Sequence, residues 1–206
     1  GKTVLPEAIR VLNAVGFDAE YVHGDIGWDF WCSEGNALPQ RTIDLLEKHK
    51  IGLFGAITSK PKDAADKELD PSLKGKGFVY FSPIVGLRQK FNLDICIRPC
   101  QSFKGNPLNF IIRNAKGGFD EPLVNTVVFR QNTEGLYGGV EWTNPPKQVR
   151  DALETHPKMK FFKDVPSEDM AISTRIVTRN ASRRIIRAGF EYAKKYGYTN
   201  LTLCEK

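Results

Sequence analysis

Arg88 and Arg98 lie ten residues apart and bracket a predicted connection from a helix to a strand. In that arrangement both side chains can turn toward one cleft. A guanidinium group forms paired hydrogen bonds with a carboxylate and keeps its positive charge at physiological pH. The two arginines therefore suit a ligand with several carboxylates, although their spacing alone is more often that of surface arginines in ion pairs.

A polar cluster at residues 129–139 directly follows a strongly apolar segment that is predicted to be a strand. Active sites of open α/β sheets often lie at such strand ends, and glycines around the cluster let the backbone approach a ligand closely. Arg130 and Tyr137 are its candidate functional residues. A tyrosine whose pKa is lowered by a nearby cation can donate a proton, whereas an isolated tyrosine more commonly packs on a turn.

Lys206 follows another apolar predicted strand, at residues 200–205. A lysine that loses its hydration has a lowered pKa and can act as a general base, although a solvated terminal lysine is the commoner case. The sequence contains neither the glycine fingerprint of Rossmann dinucleotide sites nor a P-loop. The chemistry therefore depends on scattered arginines, a tyrosine and a lysine rather than on one local motif.

Alternating helical and strand-like patterns must position these residues, and they predict an α/β fold with a mostly parallel sheet. Helices are expected at residues 4–15, 39–50, 84–91 and 181–196, the last capped by Asn180 and ended by Gly197. Strands are expected at residues 18–23, 51–56, 93–98, 124–130, 136–142, 171–178 and 200–205. Residues 58–77 are predicted to be a surface loop, and the polar residues 143–170 an excursion or arm.

Composition narrows the class of protein. The 206 residues are 41% hydrophobic and 26% charged, values typical of a soluble globular protein, and no apolar stretch is long enough to span a bilayer. The net charge of +6 is spread along the chain, so we expect neither nucleic acid nor a membrane as a partner. The four cysteines are scattered, which predicts free thiols in the cytoplasm or an organelle matrix.

The two ends of the sequence give a further expectation. The first residues carry an acid and a proline, which predicts no signal peptide. The pattern opens at a helix and closes directly after a strand, whereas an α/β domain normally opens with a strand. We therefore expect this sequence to be a window from a longer protein.

Several segments together resemble the isocitrate/isopropylmalate dehydrogenase family. They occur in the family's order and cover nearly the whole chain: residues 1–12, GLFGAITSKP at 52–61, LRQKFNLDICIRP at 87–99, FRQNTEGLYGG at 129–139 and TRNASRRIIRAGFEYAKKYGYTNLTLCEK at 178–206. Residues 60–77 and 143–170 are the least typical parts. The resemblance implies a two-domain α/β fold without a Rossmann fingerprint, incomplete in this chain.

The resemblance also implies a domain plan and cofactors. Residues 1–98 would begin the large cofactor and substrate domain, and residues 99–206 would form the small dimerisation domain with an arm at about 143–170. The family works as a homodimer whose site is shared between subunits, with Mg²⁺ or Mn²⁺ and with NAD or NADP. Its metal-binding aspartates would lie beyond residue 206, so none is expected here and this chain alone should be inactive.

Residue roles carry over from the family at matching positions. Arg88, Arg98 and Arg130 would bind the malate-like carboxylates of the substrate. Lys206, reaching across the dimer, would help to deprotonate the C2 hydroxyl, and Tyr137 would protonate the enol left after CO₂ departs. Thr58 would lie near the nicotinamide.

Substrate choice depends on the segment before Arg88. Ser82 matches a serine of the isocitrate enzymes, where a hydroxyl meets the third carboxylate, while Ile84 replaces their asparagine and Glu205 replaces the family's usual histidine. We expect oxidative decarboxylation of isocitrate to 2-oxoglutarate, with homoisocitrate and 3-isopropylmalate as alternatives. A non-catalytic regulatory subunit of the same fold is the rival from another class, and retention of Tyr137 and Lys206 argues against it. A basic RNA-binding scaffold is a second rival, supported only by the charge.

Overall fold

The computed structural model describes residues 1–204, without the side chains of residues 62 and 63. The chain divides into two compact units, Gly1–Phe91 and Asn92–Lys206. The domain boundary predicted between residues 98 and 99 falls inside the strand Ile95–Gln101. The assignment of a cofactor domain and a dimerisation domain stays a prediction.

The first unit is helical, with α1 at Val4–Ala14, α2 at Trp28–Glu34, α3 at Gln40–His49, α4 at Lys62–Glu68 and α5 at Pro83–Lys90. The predicted helices at 4–15, 39–50 and 84–91 are confirmed to within a residue at each end. Helix α4 corrects the prediction of a loop throughout 58–77. Its sequence, KDAADKE, follows Pro61 and consists mostly of good helix formers, and the charged residues Asp66, Lys67 and Glu68 are exposed on this helix.

The core of the first unit is centred on Trp31, which is 1% exposed and packs with Ala37, Ala65 and Leu69. Its indole nitrogen donates a hydrogen bond to the carbonyl oxygen of Ala65 at 2.9 Å, which satisfies the one polar atom of the ring. Tyr80 packs edge-on against Trp31, with 5.3 Å between ring centroids. This aromatic contact fixes the segment that leads into α5.

The second unit combines three antiparallel strand pairs with helices. Strands β1 (Ile95–Gln101) and β4 (Asn125–Gln131) pair along their length, β2 (Ile112–Arg113) pairs with β3 (Phe119–Asp120), and β5 (Glu141–Thr143) pairs with β6 (Ala171–Ser173). The helices are α6 at Lys147–Glu154 and α7 at Arg179–Tyr196, with 3-10 helices at Leu136–Gly138, Pro157–Phe161 and Ser167–Asp169.

The prediction of a mostly parallel sheet is wrong for residues 1–204, where every strand pairing is antiparallel. The predicted strands at 18–23 and 51–56, and the described part of 200–205, form no strand. An apolar segment becomes a strand only when a neighbouring segment pairs with its backbone, and these three find no such neighbour in the described chain. Ile51 is consequently 79% exposed.

The other predicted strands are partly confirmed. Strands β1 and β4 lie within two or three residues of the predicted bounds. The segments 136–142 and 171–178 form strands only over β5 and β6, and residues 136–138 turn as a 3-10 helix. Within these two segments, the alternating pattern therefore predicts strands correctly only in the short parts that pair with each other, β5 and β6.

Helix α7 packs against one face of the β1–β4 pair. Tyr192 lies edge-on to Phe129, with centroids 5.3 Å apart, and the Tyr198 hydroxyl donates to the side-chain oxygen of Asn125 at 2.9 Å. The cap of α7 is Thr178 rather than the predicted Asn180, because the Thr178 hydroxyl accepts a hydrogen bond from the backbone of Ala181. Gly197, at φ 73°, ends the helix as predicted. None of the helices among the described residues is long and apolar enough to cross a membrane.

Arg41 joins α3 to the end of α2. Its two terminal nitrogens donate to the Glu34 carboxylate at 2.7 and 2.9 Å, and its Nε donates to Asp25 at 2.6 Å. The hydrogen bonds from Arg41 hold the pKa of Glu34 below its ordinary value of 4.5. Between the lowered pKa of the folded protein and the ordinary pKa of the unfolded chain, Glu34 is therefore ionised in the folded protein and protonated in the unfolded chain.

We predict an acid-dependent loss of stability that Glu34→Gln reduces. A carboxylate with a lowered pKa contributes stability that is present above its unfolded pKa and lost as the pH falls through its folded pKa. The melting temperature of the wild-type protein should therefore fall between about pH 5 and pH 3 more steeply than that of Glu34→Gln. Thermal unfolding followed by circular dichroism across this range measures both slopes, and identical slopes would contradict the assignment.

Candidate functional site

Two of the three predicted carboxylate-binding arginines share one face of the β1–β4 pair. Arg130 lies opposite Cys96 in the register, and Arg98 lies opposite Val128. Side chains of directly paired residues point to the same side of a sheet, as do residues two apart on one strand. Arg98 and Arg130 are therefore diagonal neighbours on the face opposite to the one that helix α7 covers.

Tyr137 contacts this arginine face. The guanidinium carbon of Arg130 lies 4.6 Å from the centroid of the Tyr137 ring, which is a cation–π contact. Tyr137 is 45% exposed and sits in the 3-10 helix that follows Gly135, whose φ of 69° suits glycine. The structure thus brings the predicted proton donor against a predicted carboxylate-binding residue.

The loop between Arg130 and Tyr137 is ordered by Gln131. Its side-chain oxygen accepts hydrogen bonds from the backbone of Thr133 at 3.0 Å and of Glu134 at 2.8 Å. Its side-chain nitrogen donates to the Thr133 hydroxyl at 3.0 Å. One side chain therefore satisfies the backbone donors of the turn that leaves β4.

Glu134 attaches the same loop to the start of α7. Its carboxylate accepts hydrogen bonds from the Thr178 backbone at 2.7 Å and from the Thr178 hydroxyl at 2.6 Å. The Gly135 nitrogen donates to the carbonyl oxygen of Ile176 at 2.7 Å. Three hydrogen bonds thus hold the middle of the loop.

A buried carboxylate fixes the sheet end that carries Arg130. The Asp94 side chain is 7% exposed and accepts a hydrogen bond at 2.9 Å from Arg184 of α7. The Asp94 carbonyl oxygen accepts from the Asn132 backbone at 2.9 Å, which continues the β1–β4 ladder by one residue. Asn132 is buried, and its side-chain oxygen has no hydrogen-bond partner among the described residues. The ion pair therefore ties α7 to both strands where the loop begins.

The first unit contains the other candidates that the structure describes. Ser82 is the N-cap residue of α5, and its side chain makes no capping hydrogen bond. Arg88 lies in the last turn of α5 and is half-buried. Thr58 is exposed, and its neighbour Ser59 shares a hydrogen bond of 3.2 Å with the hydroxyl of Tyr80. The segments carrying Thr58 and Ser82 are thus joined next to the aromatic core.

The candidates fall into three groups along the chain. Thr58, Ser82 and Arg88 belong to the first unit, while Arg98, Arg130 and Tyr137 belong to the second. Lys206 and Glu205 lie outside the described residues. Within residues 1–204 no group of three or more histidine, cysteine, aspartate or glutamate side chains is placed to hold a metal ion. The described part of the chain therefore does not fit a metal centre by itself.

The sequence did not single out Glu134, Thr178, Asp94 or Arg184. The Glu134–Thr178 contact spans 44 positions of the chain, and the Asp94–Arg184 contact spans 90. Local periodicity cannot pair residues so far apart. The position of Glu134 inside the polar cluster, between Arg130 and Tyr137, was the one available signal.

Comparison with known proteins gives consistent matches. The model of the isocitrate/isopropylmalate dehydrogenase family matches residues 1–206. The chain is 36% identical to a homoisocitrate dehydrogenase from Methanocaldococcus jannaschii, over 95% of the chain and 46% of that protein. It is 33% identical to Protein DlpA from Legionella pneumophila, over 89% of the chain and 27% of that protein. It is 29% identical to an NADP isocitrate dehydrogenase from Archaeoglobus fulgidus, over 100% of the chain and 45% of that protein. The chain spans less than half the length of these relatives.

We predict that Arg184→Ala destabilises the protein because it leaves the buried Asp94 carboxylate without its cation. The expected cost is about 1–3 kcal/mol, the usual penalty for an unsatisfied buried polar group. The exposed neighbour Arg183 offers a matched control, and Arg183→Ala should stay within about 0.5 kcal/mol of the wild type. Urea unfolding measures both variants.

A double variant separates the ion pair from the loss of either side chain alone. Asp94→Asn combined with Arg184→Ala should cost less than the sum of the two single changes, since the uncompensated charge is then gone. Additive costs would show that the two side chains do not depend on each other.

Proposed function

Because the chain belongs to the isocitrate/isopropylmalate dehydrogenase family, as its motifs predicted, we propose that the whole protein oxidatively decarboxylates a 2-hydroxy acid with NAD or NADP, and that the acid is isocitrate. The observation that carries this proposal is the contact between Arg130 and Tyr137 beside Arg98. That arrangement offers fixed positive charge for carboxylates and a phenol for proton transfer on the sheet face opposite to α7.

Arginine geometry supports a substrate with several carboxylates. Arg98 and Arg130 lie on the same face within two strand positions, so one malate-like group can meet both guanidinium groups. The family resemblance alone assigns Arg88 to the same carboxylates. The resemblance assigns Ser82 to the third carboxylate of isocitrate, and a serine hydroxyl can donate the hydrogen bond that this role needs.

Homoisocitrate is the second candidate substrate. It is favoured by the 36% identity to the homoisocitrate dehydrogenase named above. It is also favoured by Ile84, because the isocitrate enzymes have an asparagine at the matching position. 3-Isopropylmalate is the third candidate. Each choice keeps the same roles for Arg130 and Tyr137.

The reaction assigned to these residues moves one hydride, one CO₂ and two protons. Bound NAD or NADP supplies the hydride acceptor when the C2 carbon is oxidised. Lys206 takes the proton of the C2 hydroxyl, directly or through water, with its amine acting as general base. Arg98 and Arg130 hold the carboxylates throughout. After the β-carboxylate leaves as CO₂, Tyr137 gives its proton to the carbon that lost it, and solvent restores the phenol.

We also propose a homodimer in which residues 143–170 act as the arm. Strands β5 and β6 close this excursion at its base, where Thr143 pairs with Ala171. Arg150 holds the excursion together, since its side chain is 11% exposed and donates to Glu154 at 2.9 Å and to the Lys163 carbonyl oxygen at 3.2 Å. Phe161, at 73% exposure, lies on the outside of this segment and would meet the partner subunit.

A reducing compartment, either the cytoplasm or a mitochondrial matrix, fits this proposal. All four cysteines, Cys32, Cys96, Cys100 and Cys204, are free thiols. Cytoplasmic and matrix proteins rarely carry structural disulfides. The same compartments hold the NAD and NADP that the proposed reaction needs.

We predict turnover of isocitrate by the full-length protein with Mg²⁺ and either NAD or NADP, measured by the absorbance of the reduced cofactor. Homoisocitrate and 3-isopropylmalate are assayed in parallel. Tyr137→Phe and Lys206→Met should each lower kcat by about 10²–10⁴, the range for loss of a general acid or base. Turnover of another acid alone would overturn the choice of isocitrate, and no turnover of any acid would favour a regulatory subunit.

We predict that the arm is required for the dimer. Because Thr143 and Ala171 are paired, a short glycine-serine linker can join them in place of residues 144–170 without moving β5 or β6. The shortened protein should sediment as a monomer, whereas the full protein sediments as a dimer. Far-ultraviolet circular dichroism controls for folding, and a shortened protein that is folded and still dimeric would contradict the arm's role.

A further inference from the structure

Glu134 is a carboxylate that the proposed reaction does not use, although it lies between Arg130 and Tyr137 in the chain. It is half-buried, and both of its oxygens are occupied by Thr178, at 2.7 Å from the backbone nitrogen and 2.6 Å from the hydroxyl. Hydrogen bonds to an ionised acceptor are shorter and about twice as strong as neutral ones. This contact is therefore a firm attachment rather than a passing surface interaction.

The attachment point is itself rigid. Thr178 is the N-cap of α7, and its hydroxyl also accepts a hydrogen bond from the Ala181 backbone at 3.2 Å. Helix α7 is 18 residues long and is bound to the sheet by Tyr192 and by the Arg184–Asp94 ion pair. A negative side chain at its N-terminus is favoured by the helix dipole. Glu134 thus connects the loop to a helix that cannot shift without disturbing the sheet.

The attachment lies where it controls the distance between the two functional side chains. Arg130 is held by the β4 ladder, opposite Cys96. Tyr137 follows Glu134 by three residues, in a 3-10 helix whose first turn starts at Gly135. Between the ladder and this turn, the loop is attached to the rest of the unit by the Glu134–Thr178 and Gly135–Ile176 hydrogen bonds. The 4.6 Å contact between Arg130 and Tyr137 thus joins residues on either side of that attachment.

We propose that Glu134 is a positioning residue, which keeps Tyr137 against Arg130 so that its proton reaches one face of the decarboxylated carbon. This inference rests on the proposed function. Misplacing a catalytic group by about 1 Å can lower the rate about 100-fold even when the group itself is intact. Loss of the Glu134 attachment should therefore act on proton delivery more than on substrate binding.

The stereochemistry of protonation distinguishes positioning from a purely structural role. When the full-length enzyme works in deuterium oxide, the carbon that loses CO₂ receives one solvent-derived deuteron. A fixed Tyr137 delivers it to one face, so the product carries deuterium in one configuration. A displaced Tyr137 lets water protonate both faces and gives a mixture. Proton NMR resolves the mixture after the achiral product has been reductively aminated to L-glutamate, in which the two hydrogens of the labelled carbon are distinct.

The experiment compares four variants of the full-length protein with Mg²⁺, NAD or NADP and isocitrate. Glu134→Ala removes both hydrogen bonds of the attachment, and Thr178→Val removes only the hydrogen bond from the Thr178 hydroxyl. Glu134→Gln keeps an acceptor for the Thr178 nitrogen and serves as the conservative variant. Glu141→Ala is the matched control, because it also deletes a carboxylate that accepts from a hydroxyl, that of Ser173 at 3.0 Å.

We expect Glu134→Ala to lower kcat about 100-fold with a smaller change in KM and to give a mixture of configurations. Thr178→Val should fall between Glu134→Ala and the wild type, while Glu134→Gln restores most of kcat and the single configuration. Glu141→Ala should match the wild type. Because the configuration is read from product molecules, a partly unfolded sample lowers the yield without changing the result.

Two failures remain distinguishable. If the wild-type protein turns over isocitrate and Glu134→Ala gives the same kcat and the same single configuration, with only a lower melting temperature, Glu134 is a structural clamp and the inference is wrong. If the wild-type protein turns over none of the three acids, the proposed function itself is wrong, and the positioning role falls with it.

Discussion

Strand β1 pairs with strand β4 so that Cys96 lies opposite Arg130, and the arginine face depends on this register. A slip of one residue would turn every side chain of a strand to the other side of the sheet. Arg130 would then point toward helix α7 and away from Arg98. The apolar residues that α7 covers hold the register, since Phe129 would lose its contact with Tyr192 in the same slip.

The arginine face has two kinds of support that differ in chemistry. On the covered side, aromatic packing between the sheet and α7 supplies apolar burial, which is not directional. At the strand ends, the Asp94–Arg184 and Glu134–Thr178 contacts fix the orientation of the side chains. Hydrogen bonds to an ionised carboxylate do this because they require particular atoms at particular distances. Burial thus places the sheet, and the charged contacts place the loop that carries Tyr137. A site that must hold several carboxylates benefits from this division, since neither Arg98 nor Arg130 is used in these charged contacts.

Sequence patterns predicted four of the helices well, missed α2, α4 and α6, and predicted the sheet poorly, for a physical reason. Helices α1, α3, α5 and α7 are local structures whose hydrogen bonds and apolar stripes lie within one segment, so their periodicity is visible in the sequence. Strands need a partner, and residues 51–56 read as a buried strand yet find none among the described residues. The candidate site shows the same difference. Arg98, Arg130 and Tyr137 were recognisable from motifs, whereas Glu134–Thr178 and Asp94–Arg184 join distant parts of the chain.

The central claim is that Arg130 and Tyr137 form one site with separate tasks, the first for binding and the second for proton transfer. Calorimetric titration of isocitrate into the full-length protein with Mg²⁺ tests it most directly, using Arg130→Gln and Tyr137→Phe. Loss of a charged hydrogen-bond partner costs about 1.5–3 kcal/mol, so Arg130→Gln should weaken binding by roughly 10- to 150-fold. Tyr137→Phe should bind as the wild type does, because it keeps the ring that stacks on Arg130. Equal affinity for the wild type and Arg130→Gln would contradict the claim.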